Sequence, residues 1–262
     1  MAWGSFALRE GAQVPGQSSP TSCGAACLVL ARMLIDPEFA EWIVGERVDT
    51  EGVLHAVDDV DASDASDAQE AARRAARARD GQVIRWEAAQ AEVVRRTNAI
   101  GRYPGLLQAP WPANLGTPPW GARAELERSC SAPGVSYEVR MVRFLSDAAL
   151  GAAFDGTVAR VGVGRPVLCY VGNDLMPRHI VLWLRPEPDA PVLQYDPARG
   201  VLTRPDRAAF VGQRMESAGW DMPWLVLRPD PVVLATELGR LATRLATPLT
   251  RPLSRFPGAT PA

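Results

Sequence analysis

The sequence predicts an α+β fold in which a helix buried on all sides packs on a largely antiparallel sheet. Three observations carry this. Residues 23–35 are nearly all small or apolar, so the segment reads as a helix without a polar face. The last third breaks instead into short runs rich in Val, Ile, Leu and aromatics, bounded by Gly, Pro, Asn and Asp, which is the pattern of strands. The connections between those runs are too brief for parallel crossovers.

In chain order, a Gly/Gln/Ser/Pro lead-in over 11–21 precedes the buried helix, and Asp36-Pro37 ends it. A helix with no polar face must be wrapped by the rest of the domain, which makes this segment the central one. Across 58–81 the composition shifts. Asp58, Asp59, Asp61, Asp64 and Asp67 come first, then Arg73, Arg74, Arg77 and Arg79, then Gly81. Acid first and base last suits the helix dipole, and Gly81 suits a C-terminal stop, so a solvated surface helix is expected. The Asp run lacks the Gly and terminal Glu of a calcium loop, so no calcium is expected.

Residues 86–99 can continue as a helix. From 103 to 120, Trp111 and Trp120 stand among Pro104, Pro110, Pro112, Pro118 and Pro119, which demands irregular backbone, expected to pack against the core. Strands are expected at 166–171, 179–184, 192–195 and 224–227. Leu234, Leu238, Leu241 and Leu245 fall at helical spacing before a Pro/Arg tail expected to be disordered. The reading is a domain over 1–230, with a helical and Pro/Trp-rich insertion at about 36–130, followed by an amphipathic helix and tail over 231–262.

Apolar residues make up 47% and charged residues 22% of the 262, which fits an ordinary globular protein and excludes disorder or a fibre for most of the chain. A net charge of -2 without a basic stripe argues against nucleic acid as a partner. All 28 basic residues are Arg, as an Arg-favouring codon bias would produce. Cys23, Cys27, Cys130 and Cys169 are too few and too irregular for a disulfide scaffold, and all four are expected to be reduced. Residues 1–11 lack an apolar signal core and no long uncharged apolar stretch follows, so no stable membrane insertion is expected. A cytoplasmic protein, or one exported by a non-classical route, follows from this; the oligomeric state does not.

Chemistry concentrates at Cys23. A thiol attacks a carbonyl as thiolate, which a helix N-terminus or a nearby imidazolium favours. Thr21 and Ser22 are good N-cap types, placing Cys23 in the first turn of the buried helix, and Gly24 leaves the neighbouring backbone open to a substrate. Gln17, six residues earlier across a Ser/Pro loop, can fold its amide back beside the thiol and join the Cys23 N-H in holding an oxyanion. Taken alone, it reads as an ordinary polar loop residue.

The chain has two histidines. His55 reads as a surface or satisfied core residue. His179 opens a strand after an irregular loop over 172–178, where catalytic side chains are favoured. If 185–190 is a hairpin connection, a symmetric register pairs Leu184 with Pro191, Ile180 with Tyr195 and His179 with Asp196. Asp196 then accepts the imidazole N-H and orients the ring. A one-residue slip would destroy that pairing. Cys27 could suggest a metal with Cys23, but four ligands are not at hand. Cys27 and Cys169 therefore read as small core residues, and Cys130 in a polar loop as an exposed thiol. No metal and no cofactor are expected.

Gln17-Ser-Ser-Pro-Thr-Ser-Cys23-Gly-Ala-Ala-Cys-Leu, Gly-Arg-Pro-Val-Leu at 164–168, His179-Ile-Val-Leu and Tyr195-Asp196-Pro197-Ala-Arg-Gly200 together resemble the peptidase C39-like branch of the papain-like cysteine peptidase superfamily. The resemblance covers about residues 12–35 and 160–200. It implies a papain-like fold, Cys23 as nucleophile, His179 as base, Asp196 as its orienting residue and Gln17 at the oxyanion. The long stretch between Cys23 and His179, and Arg178 where a Gly is common, depart from that pattern, so substrate choice does not transfer. The absence of a phosphate-binding loop and of a membrane span sets this chain apart from the exporter version of the family. The resulting expectation is a thiol hydrolase acting on a peptide or isopeptide bond of a protein or peptide substrate. The same machinery could serve a glutamine deamidase, transglutaminase or acyltransferase, and a non-catalytic binding module on the same fold is the remaining alternative.

Overall fold

The computed structural model describes residues 8–45, 65–99 and 111–230, of which 65–79 and 113 are described in backbone alone. The chain divides into a unit ending at Pro229 and a second unit, Asp230–Ala262. His55, the acidic run before residue 65, the Tyr103–Pro110 part of the Trp/Pro segment and the expected C-terminal helix lie outside the described residues.

The fold is α+β. Helices α1 (Cys23–Met33), α2 (Pro37–Val44), α3 (Ala65–Thr97) and α4 (Pro119–Ser129) come first. They are followed by β1 (Tyr137–Met141), α5 (Asp147–Val158), β2 (Val167–Gly172), β3 (Pro177–Leu184), β4 (Leu193–Asp196), β5 (Val201–Thr203), α6 (Arg207–Val211) and β6 (Met222–Pro229). The strands form one open six-stranded sheet in the order β1-β6-β2-β3-β4-β5, and every pair is antiparallel.

Both faces of the sheet are covered, which is why β2 is buried at every position. On one face Leu168, Tyr170, Ile180, Leu182 and Tyr195 pack against α1 and, through it, residues of α2, α3 and α4. On the other face Val167, Cys169, Val181, Trp183 and Val226 meet α5 and α6. There Phe154, Trp183 and Phe210 form an aromatic triangle with centroids 5.3–5.9 Å apart. As its composition demands, α1 is enclosed: apart from Arg32, each of its residues is buried.

Four expectations need correction. Gly81 does not end a helix, because α3 runs through it to Thr97. The roughly 1 kcal/mol that an interior Gly costs is offset by the second half of α3, which buries Trp86, Ala89 and Val93 on α1. Asp36-Pro37 ends α1 but also starts α2, since the Asp36 carboxylate accepts from Phe39 N at 3.0 Å and Pro37 occupies the first turn. The irregular segment stops at Pro118, where Pro119 opens α4 with Trp120 in its first turn. Strands β1 and β5, at the two ends of the strand order, are only five and three residues long, too short for an apolar pattern to announce them. Among the described residues no helix is long and apolar enough to cross a membrane.

The lead-in docks as an extra, strand-like segment beside β5. Val14 N donates to Gly200 O at 2.9 Å, Leu202 N to Ala12 O at 3.1 Å and Gln17 N to Pro197 O at 2.8 Å. Gly200 takes φ +60, and a Cβ there would lie 2.6 Å from Val14 O. Gly200→Ala should therefore lower unfolding free energy by about 1–3 kcal/mol, read from urea denaturation. An unchanged midpoint would mean that this docking is looser than it looks.

Candidate active site

The docked lead-in carries the chain from the β4–β5 turn directly into α1. From the other side α3 holds the same loop: Trp86 Nε1 donates to Gly16 O at 2.7 Å, and Ser18 N donates to Gln90 Oε1 at 3.0 Å. Ser22 occupies the N-cap position, but its hydroxyl bonds Ser19, accepting from Ser19 N at 2.9 Å, and makes no side-chain cap bond to the helix. The cap falls at Ser22 as expected but supplies no side-chain acceptor, which leaves the first-turn N-H groups of α1 without one from the cap. Cys23 is the first residue of that turn.

Gly24 is not an open approach for substrate. A Cβ there would meet Thr117 Oγ1 at 2.6 Å and the Ile180 side chain at 2.7 Å, so glycine is required for close packing of α1 on β3 and the 116–118 segment.

The β3–β4 ladder pairs Leu182 with Tyr195, Trp183 with Gln194 and Leu184 with Leu193. This differs by two residues from the symmetric hairpin expected. Pro191 has no N-H to donate, so the ladder opens only at Leu193 and the connection is longer. His179 and Asp196 are consequently not directly opposed. A shift of two preserves the face, however, and the pair becomes a diagonal one within side-chain reach. His179 Nε2 donates to Asp196 Oδ1 at 2.9 Å.

Asp196 is further held by Ala198 N on Oδ1 at 3.0 Å and by the Ser217 hydroxyl on Oδ2 at 2.9 Å. With Nε2 committed to the carboxylate, Nδ1 is the ring nitrogen left for Cys23, whose sulfur is close enough to raise the imidazole's proton affinity. Cys23, His179 and Asp196 are 3%, 4% and 4% exposed, so the three side chains lie together in a nearly water-free interior.

Burial by itself disfavours imidazolium, but the hydrogen bond that His179 gives the Asp196 carboxylate, the charge of that carboxylate and the Cys23 sulfur beside the ring outweigh it and lift His179 to about 9. Burial likewise disfavours the Asp196 carboxylate. The His179 bond and charge, the Ser217 hydroxyl and the Ala198 N-H reverse that and hold Asp196 below the usual carboxylate value. The raised His179 contributes stability that is full below its ordinary 6.5 and lost as pH rises through about 9. The lowered Asp196 contributes stability present above its ordinary 3.8 and lost as pH falls.

Gln17 stands outside this chain of bonds. Its Nε2 donates to Ser19 O at 2.9 Å, and its Oε1 is buried without a partner among the described residues. The amide retains one further hydrogen, and the loop that holds it leads straight to Cys23. Cys27 and Cys169 lie in the core, and burial pushes both thiols well up. Cys130 is corrected from an exposed to a buried thiol: it caps α4 against α1, donates to Leu28 O at 3.3 Å and is pushed up to about 12 by burial. Among the described residues no group of three or more His, Cys, Asp and Glu is placed to hold a metal ion.

Ser217 had no sequence signal. It lies 21 residues from Asp196 in a Gly/Ser/Glu stretch that reads as loop, and only the return of β6 to the sheet brings it close. Comparison with protein-family models, curated proteins and solved structures found no match.

Iodoacetamide at neutral pH should alkylate Cys23 before the other three thiols, because only Cys23 has an imidazole partner and a helix N-terminus. Peptide mapping by mass spectrometry checks this. Prior labelling of Cys130 would contradict the buried, cap-bound thiol described above.

Proposed function

We propose that the chain is a thiol hydrolase of papain-like type, acting on a peptide or isopeptide bond. The single observation that supports it best is the buried chain Cys23–His179–Asp196, set where an apolar helix begins on an antiparallel sheet. Each member has one role. Cys23 thiolate attacks the carbonyl carbon, forming a C-S bond as the π electrons move to oxygen. The N-H of Cys23 and the remaining Gln17 amide hydrogen are the donors assigned to that oxyanion. His179 imidazolium then gives its proton to the leaving nitrogen as the C-N bond breaks. Water, deprotonated by His179, attacks the thioester and releases the acid and the thiol. Asp196 stays ionised throughout, holding the ring in the tautomer that turns Nδ1 to the thiol.

With a peptide library as substrate, a shortened product identifies hydrolysis, whereas release of ammonia without shortening identifies a deamidase. Cys23→Ala should abolish turnover and His179→Ala nearly so, since the two act as a unit. Asp196→Asn should cost less, and Gln17→Ala on the order of 10²-fold. Turnover in Cys23→Ala sinks the proposal; a wild-type rate in Gln17→Ala removes only the oxyanion assignment.

The pH profile offers a second check. The acid that protonates the leaving group is His179 in its charged form, so kcat/KM should fall as pH rises through about 9. A limb near the ordinary histidine value would mean that the imidazole lacks the Asp196 carboxylate partner described.

A further inference from the structure

The three non-glycine residues of the described chain with positive φ all lie between Gln213 and Ala218: Gln213 at 52°, Glu216 at 49° and Ala218 at 52°, with Gly219 following at 81°. Side chains with a Cβ resist that region, so such a cluster persists only where surrounding contacts over-determine it. Ser217 sits inside the cluster and is 2% exposed. The segment is tied down on both sides of it. Ser217 N donates to Trp220 O at 3.0 Å, Trp220 N returns the bond at 2.9 Å, and Met215 N donates to Asp221 O at 3.0 Å. The Arg178 guanidinium, beside His179 in sequence, lies 6.0 Å over the Trp220 ring. The strained backbone thus presents one buried hydroxyl in a fixed place.

That hydroxyl meets the Asp196 oxygen that His179 does not use. His179 Nε2 and Ala198 N both bond Oδ1, and Ser217 Oγ makes the sole hydrogen bond to Oδ2 among the described residues. A carboxylate turns freely about its Cβ-Cγ bond unless both oxygens are held, and a turn would take Oδ1 out of line with the imidazole. Beyond Asp196 and Ser217 opens a polar cavity of about 320 Å³, with Arg199, Arg204 and Arg214 facing Asp206 and Glu216. Without the hydroxyl, the carboxylate could turn toward those guanidinium groups.

We propose that Ser217 is a positioning residue of the site, a fourth link that locks the Asp196 carboxylate in the plane of the His179 ring. The proposal rests on the thiol-hydrolase reading and adds to it a residue that acts only through Asp196. Its hydroxyl also contributes to holding Asp196 ionised, so removing it shifts Asp196 protonation to higher pH and weakens the support of the thiolate-imidazolium pair.

The test is the rate of Cys23 alkylation by iodoacetamide against pH in the full chain, which needs no substrate. Ser217→Ala should move the acid limb up by about one pH unit, the size of a lost hydrogen bond to a buried charge. Ser217→Thr, which keeps the hydroxyl, should restore the wild-type limb, and Ser217→Val, its apolar counterpart in shape, should not. The Thr and Val pair decides the matter if the Ala variant is too unstable to measure. A limb unchanged in Ser217→Ala overturns the proposal, whether or not the melting temperature falls, because the serine is then only a pin for its loop or is replaced by water. If alkylation of wild-type Cys23 is unaffected by His179→Ala, the hydrolase reading itself falls, and the positioning role with it.

Discussion

Helix α1 has no polar face, and that constraint organises the rest of the molecule. A segment reading Cys-Gly-Ala-Ala-Cys-Leu-Val-Leu-Ala can be stable only where every side is covered, so one face of the sheet lies beneath it and α2, α3 and α4 close around it. The Arg96–Glu125 pair, bidentate at 2.9 Å with the carboxylate buried, fastens α3 to α4 outside that sheath. Enclosure leaves one end with unsatisfied backbone groups inside the protein. The lead-in loop, clamped between α3 and the β4–β5 turn, delivers Cys23 to that end beside the start of β3.

Such a location is costly for the groups found there. A carboxylate and an imidazole removed from water lose hydration that their mutual attraction does not fully repay unless each remaining hydrogen-bonding position is met. Asp196 meets the condition with three donors on two oxygens, one of them His179. An apolar pair would fill the same space at lower cost. On the proposed reading, the polar arrangement is chemistry kept ready in a dry interior, where a charge-assisted hydrogen bond is strong. The positive-φ backbone of Gln213–Ala218 holds one of those donors, the Ser217 hydroxyl, against Asp196.

Much of this was legible in the chain. The buried helix followed from an unbroken run of small and apolar residues, and four strands from their composition and short connections. Gln17, Cys23, His179 and Asp196 stood out because their residue types fell at structural boundaries. The failures have common physical causes. Gly81 looked like a stop because propensity is local, while the packing that carries α3 past it is not. Cys130 looked exposed because its neighbours in sequence are polar, whereas its neighbours in space are α1 residues. The hairpin register missed by two because one proline shifted the ladder, and the His179–Asp196 contact survived because two is the period of a strand.

The sequence by itself determined which segments must be buried and which residue types could react, because burial and reactivity are written in side-chain chemistry and short-range spacing. Tertiary structure alone decided that Ser217 meets the Asp196 oxygen that His179 leaves, that Gly24 is a packing contact with Thr117, and that Gln17 turns its amide to Ser19. These contacts join residues brought together by how the sheet is wound and how loops close on it. A hydrogen bond is decided over a few tenths of an ångström. Residue pattern resolves a face of a helix or strand, and no finer.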